Sequence, residues 1–293
     1  MTGLRIGMIG VGEMGAGLAH SFVVAGHEVF CELTQRSEES KKRAEDAGIV
    51  PVGSYQELSQ TSDIVFSVLP TQHAKFEASR LAEAMEQVER KPAFIEANAV
   101  SPARVIEIAE LFARTGSIVV DAGIVGPPPN ETTRPHLYAC GPDLTLLRDL
   151  DGTGFDLEEL TGPMGTASAF KMTYAAMTKG TNALLTNVML LAETHGFLEQ
   201  FVIEIEGSQP TLASRARNNI SRLPCDAARW IDEMNQIADC LEQANLPREA
   251  YDSAAKIMQI LAASPFGNET RQTRDKDRDM ESTIRGILNH NEL

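Results

Sequence analysis

Apolar residues fall in short unbroken runs through the first half of the chain and at helical spacing through the second. Arg5-Ile6-Gly7-Met8-Ile9-Gly10 reads as a buried strand and Met14 to Ala25 as a helix. Glu28-Val29-Phe30-Cys31 predicts a second strand, Glu38 to Ala47 a polar helix, and Ile64-Val65-Phe66-Ser67-Val68-Leu69 a buried strand stopped by Pro70. Further strands are expected at Ala93 to Glu96, Ser117 to Asp121 and His136 to Cys140. Between them, Val105, Ile106, Ile108, Ala109 and Phe112 put an apolar face on a helix from Pro102 to Arg114. Strands alternating with helices imply crossover units and a parallel sheet covered on both faces.

The pattern changes near residue 162. Thr166 to about His195 carries Ala, Leu, Met and Thr at helical spacing and predicts one long helix, with a kink expected at Gly180. Pro210–Asn219, Asp226–Ala244, Arg248–Ala262 and Arg271–Asn289 also read as helices. Pro224, Asn245-Leu246-Pro247 and Ser264-Pro265-Phe266-Gly267 read as breaks. The expected organisation is an α/β domain over 1–162 and an all-α domain over 163–293, the second carrying substrate and dimer contacts.

Composition narrows the partners. Of 293 residues, 26 are Lys or Arg and 41 Asp or Glu, a net charge of −15. That balance opposes broad contact with nucleic acid or an anionic membrane, and points to a small-molecule ligand. Cys31, Cys140, Cys225 and Cys240 lack C-x-x-C spacing and histidines at ligand intervals, so reduced thiols are expected and no metal site. Glu13, His20 and six glycines interrupt Ile6 to Gly26, which therefore does not read as a signal peptide, and no apolar run reaches a membrane span. A soluble cytoplasmic protein is expected.

The strongest local signal is Gly10-Val11-Gly12-Glu13-Met14-Gly15, placed after a strand, opening a helix, with a second strand following. In that context Gly10 permits the tight turn, Gly12 lets backbone approach a pyrophosphate, and Gly15 lets helix and strand pack closely. Glu13 and Met14 open the helix whose N-terminus faces the phosphates. The fold expected is therefore a Rossmann-type doubly wound parallel sheet followed by helices. At the end of the second strand Glu32 fits the ribose of NAD, while Arg36 and Ser37 fit the 2′-phosphate of NADP. NADP is the cofactor favoured, with NAD the alternative. Downstream, Gly162-Pro163-Met164-Gly165 leads into a helix bearing Lys171, with Tyr174, Thr178 and Asn182 on the same face. A lysine in so apolar a helix needs a polar destination.

These residues resemble the β-hydroxyacid dehydrogenase superfamily, which includes 3-hydroxyisobutyrate and 6-phosphogluconate dehydrogenases and the related imine reductases. The resemblance runs from residue 4 to about 262. It rests on the glycine turn, Ser67-Val68-Leu69-Pro70, Asn98 with Ser101-Pro102, Asp121-Ala122-Gly123-Ile124-Val125-Gly126, and the Gly-x-x-Gly segment before Lys171. Arg229-Trp230-Ile231-Asp232-Glu233-Met234 is similar to the branch with a phosphogluconate-dehydrogenase-like C-terminal domain of unassigned function. The resemblance implies that Lys171 is the general acid–base, with Tyr174 beside it. It also implies that the glycines, Leu69, Pro70 and Asn98 contact the cofactor, and that Ile124, Val125, Gly126 and Thr178 line the substrate site. A homodimer through the helical domain is implied as well.

The departures bear on the substrate. Val125-Gly126-Pro127 replaces the family's Ser-Gly-Gly, Ala175 replaces a common Asn, and Tyr174 and Thr178 replace the His and Glu of phosphogluconate dehydrogenases. Asp232-Glu233 stand where many relatives carry Lys-Asp. Each change removes a donor for a hydroxy acid or sugar phosphate, so 6-phosphogluconate is not the expected substrate. Three functions follow from the sequence. The first is an NADP-dependent dehydrogenase or reductase of hydroxy acids or related alcohol–carbonyl pairs. The second is an imine reductase, which Lys171 opposes, and the third a non-catalytic dinucleotide-binding regulator. Arg215, Arg217, Arg229, Arg271, Arg274 and Arg278 are expected mainly to pair with neighbouring acids on a solvated face, Asp275, Asp277 and Asp279 lying beside the last three, and His136 and His195 to be structural.

Overall fold

The computed structural model describes residues 3–290. It divides into two compact units, with the boundary between Met172 and Thr173. In the first unit the described strands are β1 (Arg5–Ile9), β2 (Glu28–Glu32), β3 (Val50–Val52), β4 (Ile64–Ser67), β5 (Ala93–Glu96), β6 (Val119–Val125), β7 (His136–Cys140) and β8 (Asp156–Glu159). The helices between them are α1 (Glu13–Val24), α2 (Glu38–Asp46), α3 (Tyr55–Thr61), α4 (Thr71–Glu86), α5 (Pro102–Leu111) and α6 (Thr145–Asp149). The strands form one sheet in the order β3-β2-β1-β4-β5-β6-β7-β8. Pairing is parallel except between β6 and β7, which run antiparallel. The order reverses at β1, so the chain is wound outward in both directions from the strand that carries the glycine turn.

Alternation along the strands builds two cores. Ile6, Met8, Phe66, Ile95 and Val120 face one side with Leu18 and Phe22 of α1 and Phe155. Ile9, Val65, Phe94 and Val119 face the other with Leu58, Leu81, Met85, Ile108 and Phe112 of α3 to α5 and the residue after it. Phe94 and Phe112 stack at 4.4 Å between centroids. Both sets follow the two-residue period of a strand covered on both faces.

Helix α7 (Thr166–Thr194) begins in the first unit and continues into the second. The second unit adds α8 (Leu198–Ser208), α9 (Pro210–Asn219), α10 (Pro224–Gln243), α11 (Glu249–Ala263) and α12 (Met280–His290). Helices α10 and α11 pack on one another and bury Met234, Ile237, Ala254, Met258 and Leu261. Three helix expectations change. Gly180 lies inside an unbroken helix, where its missing side chain admits the Tyr251 ring. Pro224 opens α10 rather than interrupting one, because the first helical turn needs no N–H there. The helix expected from Arg271 starts instead at Met280, where Asp279 Oδ1 accepts the Ser282 N–H at 2.7 Å.

Candidate active site

The glycine turn is built by three different exclusions. Gly10 leaves β1 at φ +101°, and a Cβ there would stand 2.2 Å from the Val68 carbonyl oxygen. A Cβ on Gly15 would stand 2.2 Å from the Gly10 carbonyl oxygen, so α1 lies against the turn at backbone contact. Gly12 is different, since a Cβ there meets nothing within 4 Å. It is the N-cap of α1, and no side chain caps that helix. An open, uncapped helix N-terminus over a tight turn fits the phosphates of a dinucleotide. Glu13 at the first position of α1 is exposed and Met14 packs partly under the core. Arg43 of α2 was missed from sequence; its Nη1 donates to the Val11 carbonyl at 3.2 Å, beside the turn. The proline run after β6 rests Pro128 and Pro129 on Gly17 of α1.

At the end of β2, Glu32 is buried and its Oε1 accepts both the backbone N–H, at 2.8 Å, and the hydroxyl of Thr34. Arg36 donates to Glu77 Oε1 at 3.2 Å. Glu77, nearly buried on α4, also accepts the Tyr55 hydroxyl at 2.6 Å and Arg80 at 3.0 Å. Burial, reinforced by this carboxylate, pushes the Tyr55 phenol far up, so it remains a donor. Ser37 caps α2 by accepting the Ser40 N–H at 3.2 Å. The Arg36 brace was not legible, because Tyr55 and Glu77 lie on helices remote in sequence.

Between the ends of β4 and β5, Asn98 acts as a staple. Its Nδ2 donates to Ser67 Oγ at 2.8 Å and its Oδ1 accepts the Leu69 N–H. The amide expected to face a cofactor is thus engaged within the protein, and its effect is to shape the half-buried Leu69 and exposed Pro70, which opens α4.

Lys171 stands where α7 crosses β6. A Cβ on Gly123 would lie 2.7 Å from the Lys171 Cβ and 3.1 Å from the Ala167 carbonyl oxygen, so only glycine lets helix and strand approach this far. The Lys171 ammonium donates to the Ile124 carbonyl oxygen, near the carboxyl end of β6. Val125 is buried, and Gly126 turns the chain away against Pro135. Tyr138 of β7 and Phe170 lie 3.9 Å apart between centroids. Beneath, Asp121 is fully buried and accepts from Gly165 N–H at 3.0 Å, Ala167 N–H at 2.8 Å, Ser168 N–H at 3.1 Å and Ser168 Oγ at 2.6 Å. Glu96, its partner in register on β5, is also fully buried. Burial, with a smaller contribution from the nearby Asp121 carboxylate, raises the Glu96 carboxyl to about 8.

In the second unit, Tyr174 is exposed and the Thr178 hydroxyl donates back to the Tyr174 carbonyl at 3.0 Å. Arg215 donates to the Thr178 carbonyl at 2.6 Å and to Asn182 Oδ1 at 2.9 Å. The other arginines mostly meet acids, though not the expected neighbours. Arg229 and Arg271 meet Asp226, Arg278 meets Glu269, and Arg217 meets Glu206 and Glu281. Glu233 is buried and pairs with Lys179, whose amine lies 5.1 Å from the Trp230 ring. His136 lies 3.6 Å from Glu158, and His195 stacks on Phe197. Cys31 and Cys140 are buried and Cys225 and Cys240 half-buried, all as free thiols. Among the described residues no group of His, Cys, Asp and Glu could hold a metal, and no helix is long and apolar enough to cross a membrane.

Known proteins extend these observations. Residues 5–144 match the NAD binding domain of 6-phosphogluconate dehydrogenase, and residues 192–261 match a domain of unknown function, DUF1932. An uncharacterised 28.5 kDa protein of Methanothermus fervidus is 27% identical over 207 residues, covering 70% of this chain and 78% of that one. L-threonate dehydrogenase of Cupriavidus necator is 32% identical over 127 residues, covering 42% of this chain and 41% of the enzyme. A solved conserved protein of unknown function, described as similar to 3-hydroxyacid dehydrogenases, superposes with a TM-score of 0.68 at 25% identity, over 88% of this chain and 97% of that one.

Proposed function

We propose, from the match of residues 5–144 to the NAD binding domain of 6-phosphogluconate dehydrogenase and of residues 192–261 to DUF1932, that the chain is a β-hydroxyacid dehydrogenase-like NAD(P)-dependent oxidoreductase that transfers a hydride between NADP and a hydroxy acid or related alcohol–carbonyl pair, with Lys171 as general acid–base. One observation carries this reading. The Lys171 amine is held at the carboxyl end of β6, and the glycine turn leaves the carboxyl end of β1, which runs parallel in the same sheet. In open α/β sheets that edge is where ligands bind. Bound at the turn, a nicotinamide dinucleotide supplies the carbon that takes or gives the hydride.

The chain's own part is positioning and proton transfer. Gly12 and the α1 N-terminus receive the phosphates, and Leu69 and Pro70, shaped by Asn98, wall the site. In oxidation the unprotonated Lys171 amine takes the substrate hydroxyl proton as the carbon-bound hydrogen leaves with its electron pair. In reduction the ammonium returns that proton to the nascent alkoxide. Ile124 contributes the carbonyl that orients the amine. A lysine in this role favours C–O over C=N chemistry. NADP is the preferred cofactor because Arg36, braced by Glu77, brings a cation to the end of β2, while Glu32 is already engaged by Thr34.

The substrate is sought with a panel of hydroxy acids, aldehydes, ketones and imines, following nicotinamide absorbance. On the substrate found, Lys171→Met is expected to lower kcat by about 10²–10⁴-fold while NADPH affinity stays within about twofold. Retained turnover would remove Lys171 from the reaction.

The helical unit supports a homodimer. Tyr174, Met177, Leu184 and Leu191 are exposed on α7, at 41%, 62%, 60% and 57%. With half-buried Thr181 and Val188 they repeat every three and four residues, the seam a second helix fits. Light scattering on the native chain should give about twice 31.9 kDa, and a Leu184→Glu, Leu191→Glu double variant should give the monomer.

A further inference from the structure

We infer that Asp121 is the positioning residue of the proposed reaction: its buried carboxylate on β6 takes the leading N–H groups of α7 and fixes the height and turn at which Lys171 stands over Gly123. This rests on the reading of Lys171 as acid–base. Asp121 is the third residue of β6, and Gly123 follows two residues later on the same face. The first anchors the start of α7 through Gly165, Ala167 and Ser168; the second sets the closest approach, at the Lys171 Cβ. One strand therefore defines both the tilt and the spacing of the first turns of the helix. Lys171 is its sixth residue, so movement of that start passes directly to the amine.

The same contact has an electrostatic consequence. No acid lies in the first turn of α7. The partial positive charge of its N-terminus is met from below by Asp121. Among the described residues, the titratable groups packed near this start include Glu96 on β5, which pairs in register with Asp121, and Tyr138 and Cys140 on β7. Burial raises the Glu96 carboxyl to about 8 and raises the Cys140 thiol, whose Sγ–H donates to the Gly162 carbonyl at 3.0 Å. Burial pushes the Asp121 carboxyl up, while the Ser168 hydroxyl and the Ser168, Ala167 and Gly165 N–H groups all favour its ionised form. We take that carboxylate, with four donors converging on it, as the charge facing the helix start. Without that charge, the helix N-terminus would disfavour the Lys171 ammonium and lower its affinity for a proton.

Reductive methylation of the full-length protein with formaldehyde and a borane, read by peptide mass spectrometry across pH, reports the unprotonated fraction of each lysine without turnover. Asp121→Asn and Asp121→Ser both retain an acceptor of the kind helix N-termini use, so either can carry the test. In each, the Lys171 profile is expected to move about half to one pH unit downward, a threefold to tenfold faster labelling on the rising limb. The exposed Lys42 and Lys75 should not move. Ser168→Ala keeps the carboxylate, and its Lys171 profile should match the native one. A variant at Asp121 that keeps native circular dichroism and NADPH binding but labels Lys171 as the native chain does would overturn the inference. So would Ser168→Ala shifting the profile as far as Asp121→Asn, because the effect would then lie in packing rather than charge. A shifted profile together with full turnover by Lys171→Met would instead sink the reaction and leave the coupling standing.

Discussion

At the end of β1 the chain enters α1 through Gly12, which brings no side chain to the helix N-terminus and leaves open space where a Cβ would be. At the start of α7, by contrast, Asp121 fills the same position from the neighbouring strand, with four donors closing on one carboxylate. Both helices present N–H groups and partial positive charge that call for an anion. One junction leaves that requirement to a ligand. The other meets it internally, and its helix start supports Lys171, the side chain proposed as acid–base. The contrast is between a helix start left open and one closed by a neighbouring strand within a single sheet.

Substitutions break the contrast at different depths. The largest effect is expected at Gly15, where a Cβ would overlap the Gly10 carbonyl oxygen at 2.2 Å. Gly15→Ala should lose at least about 3 kcal/mol of stability, read by urea denaturation, and native stability would mean that α1 does not lie this close to the turn. Gly12→Ala should leave stability unchanged, since its φ of −65° and free surroundings accept a methyl. It should weaken NADPH about 10- to 100-fold, or roughly 1.4–2.7 kcal/mol, by fluorescence titration, and unaltered affinity would remove the phosphates from this junction.

The closed junction is sharpened through Glu96. Folding raises its carboxyl from 4.5 to about 8, so its contribution to stability is fully present below about pH 4.5 and is lost as the pH rises through about 8. Glu96→Gln should therefore change the melting temperature little at low pH and raise it at alkaline pH, by stabilisation on the order of 2 kcal/mol. An equal effect at both ends of the range would place no proton on Glu96. The smallest effect concerns cofactor choice. Arg36→Ala should weaken NADP about tenfold and NAD less than about twofold, and equal losses would sink the NADP preference.

Much of the frame was legible because it depends on short-range patterns. Ile64 to Leu69 and Ala93 to Glu96 are unbroken apolar runs, and they form β4 and β5 within two residues of the expected ends. The helix from Thr166 runs to Thr194 as its spacing predicts, although the kink expected at Gly180 is absent where Tyr251 packs against that glycine. What escaped was short or supported from a distance. β3, with Pro51 at its centre, has three residues and little pattern to read, and β8 is Asp-Leu-Glu-Glu, a polar edge strand. β6 extends beyond Asp121 to Val125, because β7 pairs with it antiparallel across Gly123 and Ile124. The binding partners of Arg36, Arg217, Arg271 and Arg278 lie nine to 64 residues away, so neighbouring acids in the sequence were poor guides.

The order of residues alone determined that strands and helices would alternate, that a glycine turn would open the first helix, and that a lysine would sit early in a long apolar one. Each depends on periodicity or on what a missing side chain permits, properties a chain carries before it folds. Tertiary structure decided which helix start stays open and which is closed. That choice depends on whether a strand neighbour brings a carboxylate within about 3 Å of the first N–H groups, and residues 121 and 168 meet only after the sheet has formed.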